Sequence, residues 1–318
     1  MKVKPSTVVP VVLGRYGFLL RVASGAVTFV AAAALYGLLI EPYWLEPTYC
    51  HLALPLSRPL RIAHLSDLHT HGLGRLEREV LALLSREQPD LIVVTGDTVV
   101  NGSLTGAGHP GNDARLYQAA WQFLSRLRAP LGVYVVRGNW EVTRVLPNER
   151  EFYEKAAVSL LINESVRVRD DVFLVGLDDP GWESPDVDAA LGRVPPDAFS
   201  IVLLHSPAFF DRLAGRCDLV LAGHTHGGQL RVPFVRPLWL PPMSGRFAAG
   251  WYEARGSRMY VSRGIGTSGL PVRFLCRPEV AFITVGTVRA PASPPGSTPS
   301  RHMIGSITLN DSDRMRAV

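Results

Sequence analysis

Six short apolar runs constrain the fold of this chain more than any other feature. They lie at residues 60–65, 91–94, 133–136, 172–175, 201–204 and 219–221. Each has the length and the continuous hydrophobicity of a strand covered on both faces. Between the first three runs the pattern changes period. Leu76, Val80, Leu83 and Leu84 recur at helical spacing and are closed by Pro89; Leu116, Ala120, Phe123, Leu124 and Leu127 then share one face of a second helix. Strands that alternate with helices predict an α/β core.

Five of the runs lead within three residues into Asp67, Asp97, Asn139, His205 and His224. In open α/β sheets ligands gather beyond the carboxyl ends of strands. With His69 and His226 the strand-end set holds carboxylate, amide and imidazole donors. Such a mixture suits Mn, Fe or Zn better than Mg or Ca, which prefer all-oxygen shells. Seven donors exceed what one catalytic ion with open positions needs, and they suit two ions that share a carboxylate. Each piece alone reads equally as a turn or a cap. Gly96-Asp97 could be a tight turn, and Gly138-Asn139 could supply a left-handed residue. The His224-Thr225-His226 step says more, because alternate residues of extended backbone point the same way.

Taken together, Asp67-Leu68-His69, Gly96-Asp97, Gly138-Asn139-Trp140-Glu141, Leu204-His205 and Gly223-His224-Thr225-His226 resemble the five blocks of the calcineurin-like metallophosphoesterases. The likeness extends to the Gly223–Gln229 and Arg263–Pro271 stretches, which resemble a branch of bacterial membrane-associated phosphoesterases. It implies two facing mixed β-sheets flanked by helices, a four-layer αββα sandwich, over about residues 55–288. It also implies hydrolysis of phosphate esters or anhydrides with two divalent ions. Asp67, His69 and His226 would hold one ion, and Asn139, His205 and His224 the other, with Asp97 between them. A catalytic role for Asp97, Asn139 and His224 follows from the same likeness. One position departs from it: the family's histidine after Asn is Trp140 here. Indole has an N–H donor and no transferable proton, so general-acid help from this position is lost while metal binding is not. Trp140 and Arg263 are candidate substrate contacts. His71 and His109 are nearby loop histidines that read as solvated. His64, inside the first run, reads as a core residue.

Residues 22–40 contain no charge and are long enough to cross a bilayer as a helix. Lys2, Lys4, Arg15 and Arg21 precede the stretch, and Glu41 and Glu46 follow it. The positive-inside rule places residues 1–21 in the cytoplasm and the catalytic domain outside a cell membrane crossed once. The rival reading is a cleaved signal peptide. Residues 41–54 read as a linker, and the proline-rich residues 289–318 as a flexible tail.

The net charge of +5 does not argue for nucleic acid. Only three of 33 basic residues are lysines, and the charge is spread along the chain. Cys50, Cys217 and Cys276 have no metal-knuckle spacing and make no disulfide framework. After the last metal-type motif, Arg231, Phe234, Arg236, Trp239, Met243, Arg246, Phe247 and Trp251 are threaded with prolines. Arginines among large apolar groups suit a phosphorylated lipid or amphiphilic small molecule and a membrane surface; a stiff loop packed on its own sheet has the same composition.

Overall fold

The computed structural model describes residues 9–54, 56–99, 113–143, 146, 148–181 and 185–286, with side chains from Leu20 onward in the first helix. The tail 289–318, residues 1–8, and the glycine-rich loop at 101–112 with His109 lie outside the described residues.

The apolar runs become strands of two six-stranded mixed sheets. The first contains β1 (Glu46–Leu52), β2 (Leu60–Leu65), β3 (Leu91–Thr95), β4 (Val133–Val136), β5 (Ser159–Leu160) and β12 (Glu279–Val285), in the order β1-β12-β2-β3-β4-β5. The second contains β6 (Glu164–Arg169), β7 (Val172–Gly176), β8 (Phe199–Leu203), β9 (Leu219–Ala222), β10 (Gly250–Ala254) and β11 (Ser257–Val261), in the order β10-β11-β9-β8-β7-β6. The strands that lead into the metal-type residues, β2, β3 and β4 in one sheet and β8 and β9 in the other, are parallel to their neighbours in that group. Their carboxyl ends therefore share one edge of each sheet.

Strand periodicity distributes the core. Ile62, Leu91, Val93, Ile201, Leu203, Leu219 and Leu221 meet between the sheets. Ala63, Leu65, Ile92 and Val94 point to the opposite face, against α2 (Arg75–Glu87), α3 (Asp113–Leu124) and α5 (Glu149–Lys155), the last preceded in the chain by the short α4 (Asn139–Thr143). On the far side, Val175, Val202 and Val220 pack under α6 (Val187–Leu191) and α7 (Phe210–Leu213). The αββα sandwich is the expected one. Helix α2 buries Leu76, Val80, Leu83 and Leu84 and ends at Gln88, in left-handed conformation, just before Pro89.

The stretch expected to be a linker is not one. Glu46–Leu52 forms β1, an edge strand parallel to β12, with Glu46 opposite Glu279 and Leu52 opposite Val285. Edge strands carry polar residues and tolerate proline on their solvent side, so Pro47, Thr48 and His51 hid a strand that has only one paired edge. The preceding helix α1 (Val9–Leu39) begins well before residue 22 and passes the length and polarity test for a membrane span over Leu20–Tyr43, almost none of it buried. Its last turn docks on the domain. Gly37 C=O accepts from Arg273 N–H at 3.0 Å, Tyr36 meets Phe274 edge-on, and the buried Glu41 carboxylate accepts from the Leu275 and Cys276 N–H groups.

Glu149, at the start of α5, is mostly buried 3.8 Å from Arg137, and its Oε1 has no hydrogen-bond partner. Burial pushes its carboxyl up to about 7 from an ordinary 4.5, with Arg137 opposing the shift. The folded state thus binds the proton more tightly, and stability falls as pH rises from 4.5 through 7. Glu149→Gln is expected to melt at higher temperature than the parent at about pH 8 and to converge with it below about pH 4.5. Melting curves of both proteins across that range check the sign.

Candidate metal centre

The candidate residues sit on five loops at the carboxyl ends of β2, β3, β4, β8 and β9. Asp67, His69, Asp97, His224 and His226 all have positive φ, between 39° and 72°. Non-glycine residues rarely adopt this region, and clusters of them mark functional sites held by the surrounding structure. The loops approach so closely that two glycines are required. A Cβ at Gly96 would lie 2.6 Å from Gly138 N, and one at Gly223 would lie 1.8 Å from Ser66 Oγ.

The side chains converge as two buried trios, Asp67, His69 and His226, and Asp97, His205 and His224. Within each trio the potential ligand atoms lie within 4.8 Å of one another. His69 Nε2 is 3.1 Å from His226 Nε2, and Asp67 Oδ1 is 3.4 Å from His226 Nε2. In the second trio His205 Nε2 lies 3.1 Å from both His224 Nδ1 and Asn139 Oδ1. Asp97 Oδ2 joins the trios, 3.6 Å from His69 Nε2 and 3.4 Å from His205 Nε2. All seven expected residues are thus brought together.

Backbone carbonyls fix the imidazoles. His69 Nδ1–H donates to Val99 C=O at 3.0 Å, His205 Nδ1–H to Thr95 C=O at 2.7 Å, and His224 Nε2–H to Pro242 C=O at 2.5 Å. Each bond leaves the other nitrogen as a lone pair aimed into the site, the outer-ring anchoring expected of metal-ligating histidines. His205 Nε2 and His224 Nδ1 then face each other, an arrangement that repels unless a proton or a cation lies between them. Burial would raise the carboxyls of Asp67 and Asp97, but the facing imidazoles hold both below the ordinary range. Burial lowers His226 to about 3 and also lowers His224. His205 moves the other way, because Asp97 outweighs its burial. Ionised carboxylates among imidazoles whose outer nitrogens are already bonded, with a demand for positive charge between them, fit a pair of divalent cations.

A cleft of about 690 Å³ opens over the site. Asp97, Asn139, His224 and His226 form its floor, Trp140 is in its wall, and Leu230, Leu238, Trp239, Met243 and Leu270 form an apolar mouth. Trp140 N–H donates to Asp97 Oδ1 at 3.0 Å, so the residue at the departing position braces the carboxylate between the trios through its backbone. His71 is exposed outside both trios. His64 is buried with Nε2 against Thr95 Oγ1, and burial lowers it to about 4, in keeping with a core residue. Cys217 is a half-buried free thiol that burial pushes up to about 12.

The expectation for Arg263 needs correction. Its guanidinium pairs with Glu46 and Glu279 and reaches Thr48, on the β1–β12 side, and it does not line the cleft. Two acids from strands that the sequence did not place beside it explain the difference. Arg273 is fully buried and donates to the carbonyls of Gly266, Cys276, Arg263 and Gly264, with one nitrogen 3.5 Å from His226 Nδ1. It braces the loop beneath His226 and does not line the cleft.

Glu141 has a role that the motif alone did not reveal. Its carboxylate is fully buried and accepts from Gly138 N–H at 2.8 Å, Asp97 N–H at 2.9 Å, and Thr98 N–H and Oγ1–H at 2.7 Å. It ties the loop after β3 to the loop after β4. An acid two residues after the motif asparagine was the available signal.

A family profile described as calcineurin-like phosphoesterase matches residues 60–228. The uncharacterized metallophosphoesterase YkuE of Bacillus subtilis (strain 168) is 30% identical over 288 residues, 86% of this chain and 95% of its own. The phosphodiesterase YaeI of Escherichia coli (strain K12) is 30% identical over 262 residues, 76% of this chain and 89% of its own. A Bos taurus transmembrane protein with metallophosphoesterase domain is 31% identical over 253 residues, 72% of this chain and 54% of its own.

Hydrogen bonds to a buried charge contribute about 1.5–3 kcal/mol each, and Glu141→Gln replaces one acceptor oxygen with a donor that faces backbone N–H groups. The variant is expected to melt several degrees lower, by roughly 2 kcal/mol or more, and to lose turnover with it. An unchanged melting temperature in calorimetry would show that the two loops are held by other means.

Proposed function

This chain belongs to the calcineurin-like phosphoesterase family, and from that premise we propose a two-metal phosphodiesterase or pyrophosphatase that acts on an anionic amphiphile at a membrane. The coarser statement needs no proposal: the protein is a metal-dependent phosphoric ester hydrolase. The observation that carries the finer reading is the position of Asp97. One of its oxygens lies 3.4–3.6 Å from an imidazole of each trio, while its other oxygen is held by Trp140 N–H. In this reading Asp67, His69 and His226 hold one divalent ion, Asn139, His205 and His224 hold the second, and Asp97 lies between them. Bound there, two such ions supply an acidified water as nucleophile and neutralise the charge on the phosphoryl oxygens.

The chain's own residues do the rest. Carbonyls of Thr95, Val99 and Pro242 keep three imidazoles in the ligating tautomer before substrate arrives. The apolar mouth suits a substrate with a hydrocarbon or aromatic part beside its phosphate. The uncharged stretch with bases before it and acids after it supports a single-pass anchor with the catalytic domain outside the cytoplasm; removal as a signal peptide is the alternative. A lipid diphosphatase that cleaves a nucleotide from a diacyl sugar is the second enzymatic reading, favoured by the same mouth and disfavoured by that orientation. A catalytically silent metal- or lipid-binding protein is the reading from another class, motivated by Trp140.

Asp97→Ala is expected to abolish turnover of a nitrophenyl phosphodiester with added Mn²⁺ and to deplete bound metal, whereas His71→Ala leaves both intact. Elemental analysis beside the assay decides it, and full metal occupancy in Asp97→Ala would remove Asp97 from between the ions. A wild-type protein that binds metal and turns over no phosphoester would leave only the silent reading.

A positioned acid that protonates a poor leaving group contributes about 10²–10⁴-fold, and Trp140 cannot act as one. Nitrophenyl esters are therefore expected to be cleaved readily and alkyl esters slowly. Trp140→His should raise kcat for alkyl leaving groups selectively, with metal content unchanged. If Trp140 is instead a platform for the substrate, the substitution raises KM and the slope against leaving-group pKa stays the same.

A further inference from the structure

Large apolar side chains around the cleft are exposed to a degree that needs an explanation. Phe234 is 108% exposed, Leu238 76%, Trp239 68% and Leu270 57%. Val232, Val235, Leu230 and Leu275 are each close to half exposed. Contiguous apolar surface of this kind marks an interaction site, whereas scattered single residues do not. Phe234 adds a local oddity. It sits at φ 63° at the tip of a turn closed by Val235 N–H donating to Val232 C=O at 3.3 Å. Glycine or asparagine would occupy that position at less steric cost, yet the chain presents an aromatic ring there, bare to solvent.

The backbone connects this surface to the end of α1. Leu230 bridges Phe274, Arg231 N–H donates to Phe274 C=O at 2.9 Å, and Phe274 N–H donates to Gln229 C=O at 3.0 Å. Phe274 in turn stacks edge-on against Tyr36, and Arg273 N–H is bonded to Gly37 C=O. A Cβ at Gly37 would lie 3.0 Å from Arg273 C=O, so helix and strip approach each other closely through their backbones. If Leu20–Tyr43 crosses a bilayer, its length of roughly 36 Å exceeds the ~30 Å hydrocarbon core by only a few ångströms at each end. Tyr36 and Gly37 then lie inside the hydrocarbon boundary by about one helical turn, and whatever is bonded to them lies at that depth too. Leu35, Leu39 and Ile40 at the end of the helix are exposed as well, and the backbone bonds above tie that end to Leu230 and the stretch that leads to Phe234. Arg277 lies over the Trp44 ring at 3.6 Å, just past the end of the span, and Arg231 and Arg236 belong to the strip itself; cations beside such aromatics suit lipid headgroups.

We propose that residues 230–243 and 270–275 form a collar around the mouth of the cleft that is seated in the same leaflet as the end of α1, so that the phosphate-bearing substrate enters from the plane of the bilayer. The substrate clause rests on the phosphoesterase reading; the seating of the collar does not. The substrate class is a phosphodiester or diphosphate with at least one acyl or prenyl chain, its phosphate at headgroup depth and its tail still in the membrane when it reaches Asp97.

The test uses the full-length chain reconstituted into phosphatidylcholine–phosphatidylglycerol vesicles. Phe234→Cys and Asp170→Cys, the latter at the fully exposed β6–β7 turn, are each labelled with a polarity-sensitive fluorophore. The parent chain, labelled in parallel, gives the background from Cys50, Cys217 and Cys276. Acyl chains carrying bromine should quench the probe at 234 about twofold or more and leave the probe at 170 unaffected. Equal quenching, or protection of 234 that appears only as the protein self-associates in detergent, would overturn the collar. The double variant Val232→Glu, Phe234→Glu touches neither the trios nor the cleft. It should keep its rate on a water-soluble nitrophenyl phosphodiester and lose about tenfold or more on a vesicle-embedded acylated phosphodiester. Equal rates on the embedded substrate would overturn entry through the bilayer. A parent chain inactive on every phosphoester, with the probe at 234 still quenched, would sink the enzymatic reading and leave the collar standing.

Discussion

Three imidazoles at the centre of this molecule are tied by their outer nitrogens to backbone carbonyls, and the site depends on those bonds. A free imidazole chooses its tautomer and turns its ring; these cannot. Thr95 C=O belongs to the last residue of β3, yet it orients His205, which follows β8 in the other sheet. The two sheets must therefore meet in one register for the lone pairs to converge. The hydrophobic contacts of Ile62, Leu91, Ile201 and Leu219 between the sheets set that register. Packing energy from the sandwich is what holds five residues at positive φ and two carboxylates among four imidazoles.

Much of this was legible in the sequence because sheet chemistry writes itself in runs. An apolar run followed by Asp, Asn or His gives both the strand and the place where its last side chain emerges, so Asp67, Asp97, Asn139, His205 and His224 could be found before any coordinates. What was not legible required partners distant in sequence. Arg263 reads as a phosphate contact until Glu46 and Glu279 are placed on either side of it, and the bracing role of Arg273 shows only once four carbonyls surround its guanidinium. Strand β1 went unseen because an edge strand needs neither alternation nor apolar content, only a neighbour, and that neighbour is β12 at the other end of the domain. Glu141 lay between these cases: its place in the motif was visible, but the five donors it gathers were not.

Charge is handled in two ways. At the site, two buried carboxylates are held ionised by the imidazoles that face them. Beside it, Arg263 and Glu279 neutralise each other under the loop that carries Gly264, and the Glu41 carboxylate is satisfied by N–H groups of Leu275 and Cys276. Buried charge is expensive unless paired or hydrogen-bonded. Glu41 is therefore both the first acid after the apolar stretch and a clasp between α1 and the strip beneath His226.

The Pro242 carbonyl that holds His224 belongs to the same proline-stiffened segment that carries Leu238, Trp239 and Met243 at the mouth. Rim and floor are thus joined by a short stiff lever. The rim and the carbonyl that fixes His224 therefore belong to one piece of chain, joined without passing through the sheets. The shape of the entrance and the tautomer of a buried imidazole are thus fixed by the same few prolines.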